Sequence, residues 1–285
     1  MSETTVEFEV GVRLDKALAL AYPQYSRAYL ARLVDSGVVK VNGKQGKAGQ
    51  KLRRDDQLAV SVDLSQEQTI EDIELPILHE DENVLVINKP AGVISHSRGK
   101  YWYEPSVASF VRQKTNQEGD RSGIVHRLDR ATSGVMICAK NSEMLSFLQK
   151  QFSDRKVKKT YYAIISGHMK IPEAVIDMPI ERNPKAPATF RVGPNGKESQ
   201  TRYTVIYQGD DHELVKLEPL TGRTHQLRVH LAYQKHPIVG DLLYNGETAD
   251  RLYLHAFSLE ITLPDGERKT YVAPLPDAFT TYGMA

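Results

Sequence analysis

One cysteine, one tryptophan and no apolar run near the ~18 residues that cross a bilayer put several classes of protein out of reach for this 285-residue chain. A lone thiol, Cys138, cannot close an internal disulfide and is too few for a structural zinc site. It lies in the apolar string V-M-I-C-A at 135–139, which marks it as a buried structural residue and not a nucleophile. The first residues, M-S-E-T-T-V-E-F-E, are acidic and lack the basic-then-apolar layout of a secretory leader, so a soluble, cytoplasmic protein is expected. His-Glu-x-x-His pairs, paired cysteines, Gly-x-Ser-x-Gly elbows and phosphate-cradling glycine loops are missing. His225 and His230 stand five apart, on different faces of the helix expected there, so no metal is expected. Excess charge is lacking too: the formal net charge is +1, which by itself announces no polyanionic partner.

The charge that is present is unevenly spread. Between Arg13 and Arg54 ten Lys/Arg face only Asp15 and Asp35, a local net charge of +8, whereas 63–82 holds eight Asp/Glu and no Lys/Arg. The reversal predicts a basic module at 1–63, an acidic linker at 64–76 kept off nucleic acid by repulsion, and a larger domain at 77–285. In the module Leu14, Ala17, Leu18 and Ala21 recur at helical spacing, and Ser26 is placed to cap a second helix carrying Leu30, Leu33 and Val34, which Gly37 closes. V-V-K-V-N-G-K at 38–44 reads as a strand entering an Asn-Gly hairpin turn, and D-Q-L-A-V-S-V at 56–62 as a strand of alternating pattern. This arrangement, with R-L-D-K at 13–16 and V-N-G at 41–43, resembles the S4 RNA-binding domain, a small α/β module. The resemblance implies phosphate contacts from Arg13, Arg27, Arg32 and Lys44.

The rest of the chain has ordinary globular composition, with 40% hydrophobic and 26% charged residues overall. Strands are expected at 84–88, 135–139, 160–165, 188–192, 201–207, 213–218 and 257–263, with helices from about Ser142 to Phe152 and from about Thr224 to Gln234. The G-P-N-G turn at 193–196 implies antiparallel pairing. The fold class expected is α+β, built on a mixed, largely antiparallel sheet.

Four strings in this domain carry chemistry. They are N-K-P-A-G at 88–92, H-R-L-D-R-A-T-S-G at 126–134, K-T-Y-Y-A at 159–163, and G-R-T-H-Q-L-R-V-H-L at 222–231 followed by H-P-I-V-G-D at 236–241. An Arg-x-Asp in a loop is, taken alone, a surface ion pair or a cap. Four strings in this order nevertheless resemble the RluA family of RNA pseudouridine synthases. The resemblance implies a cofactor-free isomerase acting as a monomer, with the pseudouridine synthase fold and an RNA substrate.

That reaction breaks the C1′–N1 bond of uridine, turns the base and rejoins it through C5, so it needs a nucleophile or electrostatic stabiliser near the sugar and a closed pocket that retains free uracil. By resemblance Asp129 is that carboxylate, and attack at C6, attack at C1′ and assistance to elimination are all open to it. Arg228 is expected to pair with Asp129, Leu227 to pack on the base, and Tyr161 to supply an aromatic face and a hydroxyl. Tyr161, Ala163 and Ile165 share one strand face and Tyr162 and Ile164 the other, so either tyrosine could be core; the resemblance selects Tyr161. Arg127 is suited to fill the space left by an extruded uridine. Lys89 is expected at a phosphate, and Arg223 and His225 at the substrate. The string 150–159, with a net charge of +4, reads as a further RNA-facing edge.

The family's S4-bearing members point to large-subunit ribosomal RNA, with tRNA as the second choice. Two other classes compete: a non-catalytic RNA-binding or assembly protein in which Asp129 merely holds Arg228, and a hydrolase using Ser133 with a histidine.

Overall fold

The computed structural model describes residues 4–23, 25, 27–61, 72–96, 104–115 and 122–282. It divides into a smaller unit formed by Met1–Asp72 and Ser97–Pro105 and a larger one formed by Ile73–His96 and Ser106–Ala285. No helix among the described residues is long and apolar enough to cross a membrane.

In the smaller unit β1 (Thr4–Thr5), β2 (Val39–Val41), β3 (Lys44–Gln45) and β4 (Leu58–Val60) form an antiparallel sheet in the order β1-β4-β2-β3, with α1 (Leu14–Ala21) and α2 (Arg27–Asp35) packed together. Leu14 and Leu18, one helical turn apart, are buried with Leu30, Val34, Val39, Val41 and Leu58. Asn42 and Gly43 both take positive φ, 54° and 75°, as a two-residue hairpin turn requires. The Asn42 side chain donates to Asp56 and accepts from the Gln57 N–H, each at 2.8 Å, which ties the hairpin to the approach to β4. Ser26, the expected cap of α2, lies outside the described residues.

The larger unit is built on β5 (Ile77–Glu80), β6 (Val84–Lys89), β7 (Ser133–Ala139), β8 (Lys158–Ser166), β9 (Glu173–Asp177), β10 (Ile180–Arg182), β11 (Phe190–Val192), β12 (Gln200–Gln208), β13 (His212–Pro219), β14 (Leu254–Thr262) and β15 (Arg268–Val272), with helices α3 (Val107–Lys114), α4 (Ser142–Ser153) and α5 (Gln226–Tyr233). Nine strands form one sheet in the order β5-β6-β7-β14-β8-β13-β12-β9, with β15 beside β14, and β10 and β11 pair separately. Every strand pair is antiparallel except β7 with β14. This is the mixed, largely antiparallel α+β fold expected.

Some boundaries differ from the sequence reading. Leu75 is buried in the larger unit's core and Pro76 accepts from the Asn88 N–H at 2.9 Å, so this unit begins before Ile77; residues 64–71 of the expected linker lie outside those described. The last helix starts at Gln226 and not near Thr224, because His225 caps it in the left-handed region (φ 56°). Short or half-exposed elements, β5, α3, β9, β10 and β15, carry too little periodicity to be read from sequence. Cys138 is fully buried in β7, and burial pushes its thiol up to about 12, as a structural cysteine requires.

β14 organises the centre. One edge pairs with β8 along most of its length, while the other is shared, with His255 and Ala256 facing β7 and Ser258 to Thr262 facing β15. The first residues of β7 therefore dock at mid-sheet, and Gly134 makes that possible: its φ is 122°, and a Cβ there would sit 2.2 Å from the Ala256 carbonyl oxygen. Gly134→Ala should lower unfolding free energy by about 2–4 kcal/mol through backbone strain and overpacking. A urea midpoint equal to the parent's would show that the β7–β14 junction can open without cost.

Candidate active site

Four segments meet at a cleft of about 800 Å³ in the larger unit: the loop ahead of β7, the start of β8, the turn between β13 and α5, and α5 itself. Asp129, Arg127, Tyr161, Arg223, His225, Leu227 and Arg228 all line it. Seven residues scattered over some 100 positions of sequence are thus brought to one surface.

Asp129 lies in an irregular stretch, so its position depends on neighbours and not on secondary structure. Thr132 N–H donates to its carbonyl at 3.1 Å. Just upstream, the buried Ser95 hydroxyl donates to the Leu128 carbonyl at 2.7 Å and accepts from the Leu128 N–H at 3.0 Å. His126 accepts from the Ile137 N–H at 3.1 Å and stacks on Phe152 at 4.6 Å; burial first, then the Lys159 charge, pulls its imidazole down to about 3, so it stays neutral.

Lys89 does not meet a phosphate. It is fully buried, and its ammonium donates to the carbonyls of Pro90 and Val93 at 2.8 Å and of Arg130 at 3.2 Å. Three donors meet three acceptors, which is the geometry of a protonated lysine. Burial lowers its pKa to about 7, with nearby Asp129 opposing the drop. The N-K-P-A-G string is thus a brace for the Asp129 loop, reinforced by Gly92 N–H donating to the Arg130 carbonyl at 2.8 Å.

Arg228 approaches Asp129 as expected, with Nη1 at 3.4 Å from Oδ2, but its main partner is Asp241. Nε and Nη2 each donate to an Asp241 oxygen at 2.7 Å, a bidentate pair, and both residues are buried. Burial opposes the guanidinium charge, and the hydrogen bonds and carboxylates outweigh it, so its pKa is raised. The H-P-I-V-G-D string contained Asp241 without indicating its partner. Gly240, at φ +80°, makes the turn possible, since a Cβ there would lie 1.7 Å from the Arg251 carbonyl oxygen.

His225 Nε2 faces Asp129 Oδ2 at 3.8 Å, and Nδ1 meets the Tyr244 hydroxyl at 2.7 Å. Tyr244 also accepts from the Phe190 N–H at 3.0 Å, so its hydroxyl ties His225 to β11. Burial lowers the His225 pKa, against the pull of Asp129. Tyr244, over which the Arg228 guanidinium sits at 5.1 Å, had no signal in the sequence.

Tyr161 faces the cleft, whereas Tyr162 packs edge-on against Phe257 at 5.0 Å on the opposite face of β8. Burial and then the Asp129 charge raise the Tyr161 pKa, so its phenol is held protonated. Leu227 is buried at the cleft wall, Arg127 is exposed at its edge, and Arg223 donates from Nε to the Glu198 carbonyl at 3.0 Å. Of the basic string, Arg155, Lys158 and Lys159 line the cleft.

The other expected contacts lie elsewhere. Ser133 does reach His255 Nδ1, at 2.8 Å, but both are buried, Arg251 donates to the serine oxygen at 2.5 Å, and burial pulls His255 down to about 4. A serine held this way is a structural polar contact, which removes the basis of the hydrolase reading. In the smaller unit Arg13 and Arg27 grip Asp15 at 3.1 and 2.9 Å, leaving half-exposed guanidinium groups, while Arg32 and Lys44 are exposed.

His126 and His255 give a pH signature. Each has a folded pKa (about 3 and about 4) below the ordinary value of ~6.5, so only the unfolded chain takes up protons as pH falls below ~6.5. Their stability contribution is complete above that value and is lost on acidification. Between pH 7.5 and 5.5 the loss should reach roughly 2–3 kcal/mol, by linkage at ~1.4 kcal/mol for each histidine. Urea titrations at the two pH values, for the parent and His126→Gln, should show the variant losing less.

The family model for RNA pseudouridylate synthase matches residues 83–233, and that for the S4 domain matches 12–58. Ribosomal large subunit pseudouridine synthase D of Borreliella burgdorferi is 34% identical over 98% of this chain and 91% of its own length. The protein of that name from Escherichia coli K12 is 33% identical over 97% and 91%. The solved structure of human RNA pseudouridylate synthase domain containing 1 superposes with a TM-score of 0.59 at 31% identity, covering 73% of this chain and 86% of that one. A cleft built around Asp129 and Arg228, the matched family model and the relatives' identity over nearly the whole chain lead to one conclusion: this chain belongs to the RNA pseudouridine synthase family, isomerases that make pseudouridine in RNA, and carries an S4 domain.

Proposed function

We propose that this enzyme converts uridines of large-subunit ribosomal RNA to pseudouridine, with Asp129 as the reacting carboxylate. The ribosomal target rests on relatives named ribosomal large subunit pseudouridine synthase that match over nearly their whole length, and on the S4 domain. A cytoplasmic location follows, since that RNA is there. The role of Asp129 is supported chiefly by one observation: its Oδ2 is turned to Arg228 and His225, while no hydrogen bond among the described residues engages Oδ1. One oxygen is anchored and the other is free to act at the sugar or the base.

The neighbours have complementary tasks. Arg228, fixed by Asp241, faces Asp129 and holds its carboxylate in one orientation. Leu227 and the Tyr161 ring form apolar walls for the extruded uracil, and the protonated Tyr161 hydroxyl serves as a donor toward it. Arg127 at the cleft edge is free to fill the stack that the uridine leaves. Detached uracil must be retained while it turns, which a cleft with buried walls allows.

Asp129→Asn should abolish pseudouridine formation in unmodified ribosomal RNA, mapped by chemical probing, while RNA affinity stays within about tenfold, because the change removes the anion and keeps the volume. Turnover by this variant would remove Asp129 from the reaction; conversion of tRNA and not ribosomal RNA by the parent would reassign the substrate.

The two tyrosines separate by the same assay. Tyr161→Phe should bind RNA normally but slow single-turnover conversion beyond about 10²-fold, since only the hydroxyl is lost. Tyr162→Phe, on the far side of β8, should stay near the parent rate, and the reverse pattern would invert the face assignment.

A further inference from the structure

Lys159 is a partly buried cation of the cleft without a counter-charge among the described residues. It shares a face of β8 with Tyr161, two residues on and so about 6.6 Å away along the strand, and both line the cleft. Of the other cations lining the cleft, Arg228 holds Asp241 and Asp129, Lys158 reaches Glu260 at 3.6 Å, and Arg127, Arg155 and Arg202 are exposed to water. Among the described residues the Lys159 ammonium has neither an ion pair nor a hydrogen bond. It is only partly exposed, and desolvation lowers its pKa. A partly desolvated ammonium without a counter-charge is costly, so a partner arriving with the substrate would repay its placement.

The surroundings indicate which partner. Nζ reaches across to the turn between β13 and α5, 3.7 Å from where a Cβ on Gly222 would stand. The main-chain N–H groups of Gly222 and Thr224 make no hydrogen bond among the described residues, so the turn that Lys159 reaches has two uncommitted donors. Arg223 lines the same wall, with Nε given to the Glu198 carbonyl. Donors and positive charge meet here, and the only full negative charges in RNA are its phosphates.

We propose that Lys159 and the Gly222 turn form a phosphate subsite, which holds the RNA backbone next to the uridine lying against Tyr161. The proposal rests on the RNA pseudouridine synthase reading and adds a contact to it. Lys159 is then a binding residue: it fixes the strand so that the extruded nucleotide enters in one register, and it takes no part in bond making.

The test uses the full-length enzyme and a stem–loop oligonucleotide containing the mapped target uridine. Neutral methylphosphonates replace the phosphates around that uridine one at a time. Lys159→Met, which keeps the aliphatic stem, should weaken binding tenfold or more, lower the slope of log Kd against log salt by ~0.7–0.9, the value for one phosphate, and leave the saturated single-turnover rate within threefold. Lys159→Arg should restore most of the affinity. One methylphosphonate position should weaken the parent as much as Lys159→Met does, and weaken the Met variant no further. That parental response does not depend on how the variant folds. Additive losses at every position, or an unchanged salt slope, would overturn the subsite. So would a slower saturated rate with unchanged Kd, which would place Lys159 at the base. A parent that binds the oligonucleotide yet leaves its uridine unconverted would count against the enzymatic reading and not against the contact, because the affinity measurements stand without turnover.

Discussion

The grip of Asp241 on Arg228 is the constraint around which the cleft is arranged. A buried guanidinium facing one carboxylate could swing or shift; held by two parallel hydrogen bonds of 2.7 Å from one side, it has a single orientation, and its remaining nitrogen faces Asp129. The arrangement constrains the backbone in turn. Arg228 sits on a buried face of α5, and Asp241 follows a left-handed glycine that passes against the main chain of Arg251. Two carboxylates sharing one arginine also explain why a buried cation is tolerated: its charge is balanced where water is excluded.

The second requirement is rigidity in a segment without secondary structure. Residues 125–132 lie between an isolated bridge at Ile124 and the start of β7, so local hydrogen-bond ladders cannot fix them. Ser95, the Lys89 ammonium and Gly92 supply the fixing from other elements, mostly through main-chain atoms of the segment, and the segment's own His126 ties it to the Ile137 N–H. Main-chain bracing leaves the side chains of Arg127 and Asp129 free to face the cleft. It also explains why a lysine is buried beneath the site: no other side chain offers three donors on a single tetrahedral nitrogen.

Charge is allocated by the same logic across the unit. Basic groups at the cleft fall into those neutralised within the protein, such as Arg228, those in water, such as Arg127, and Lys159, which is neither. Histidines close to these charges, His126 and His225, are held toward the neutral state by burial, so they act as hydrogen-bonding scaffolds and add no positive charge to the pocket.

Sequence by itself determined the regular elements with strong periodicity, the charge reversal between the two units and the strings around Asp129, Tyr161 and Arg228, because alternation, helical spacing and turn residues are local properties of the chain. The Asn42-Gly43 turn was legible for that reason, while alternation along β8 only separated Tyr161 from Tyr162, and the family resemblance selected which of them faces the cleft. Partnership was not legible. Lys89 looked like a phosphate ligand because sequence shows a charge without its burial; Arg228 and Asp241 are thirteen positions apart, with nothing local to pair them. Tyr244 and the bracing Ser95 gave no signal, and the Ser133–His255 contact spans 122 positions yet is sealed from solvent. Only the tertiary structure decided these points, since burial, hydrogen-bond completion and the field at a given side chain are set by atoms remote in sequence.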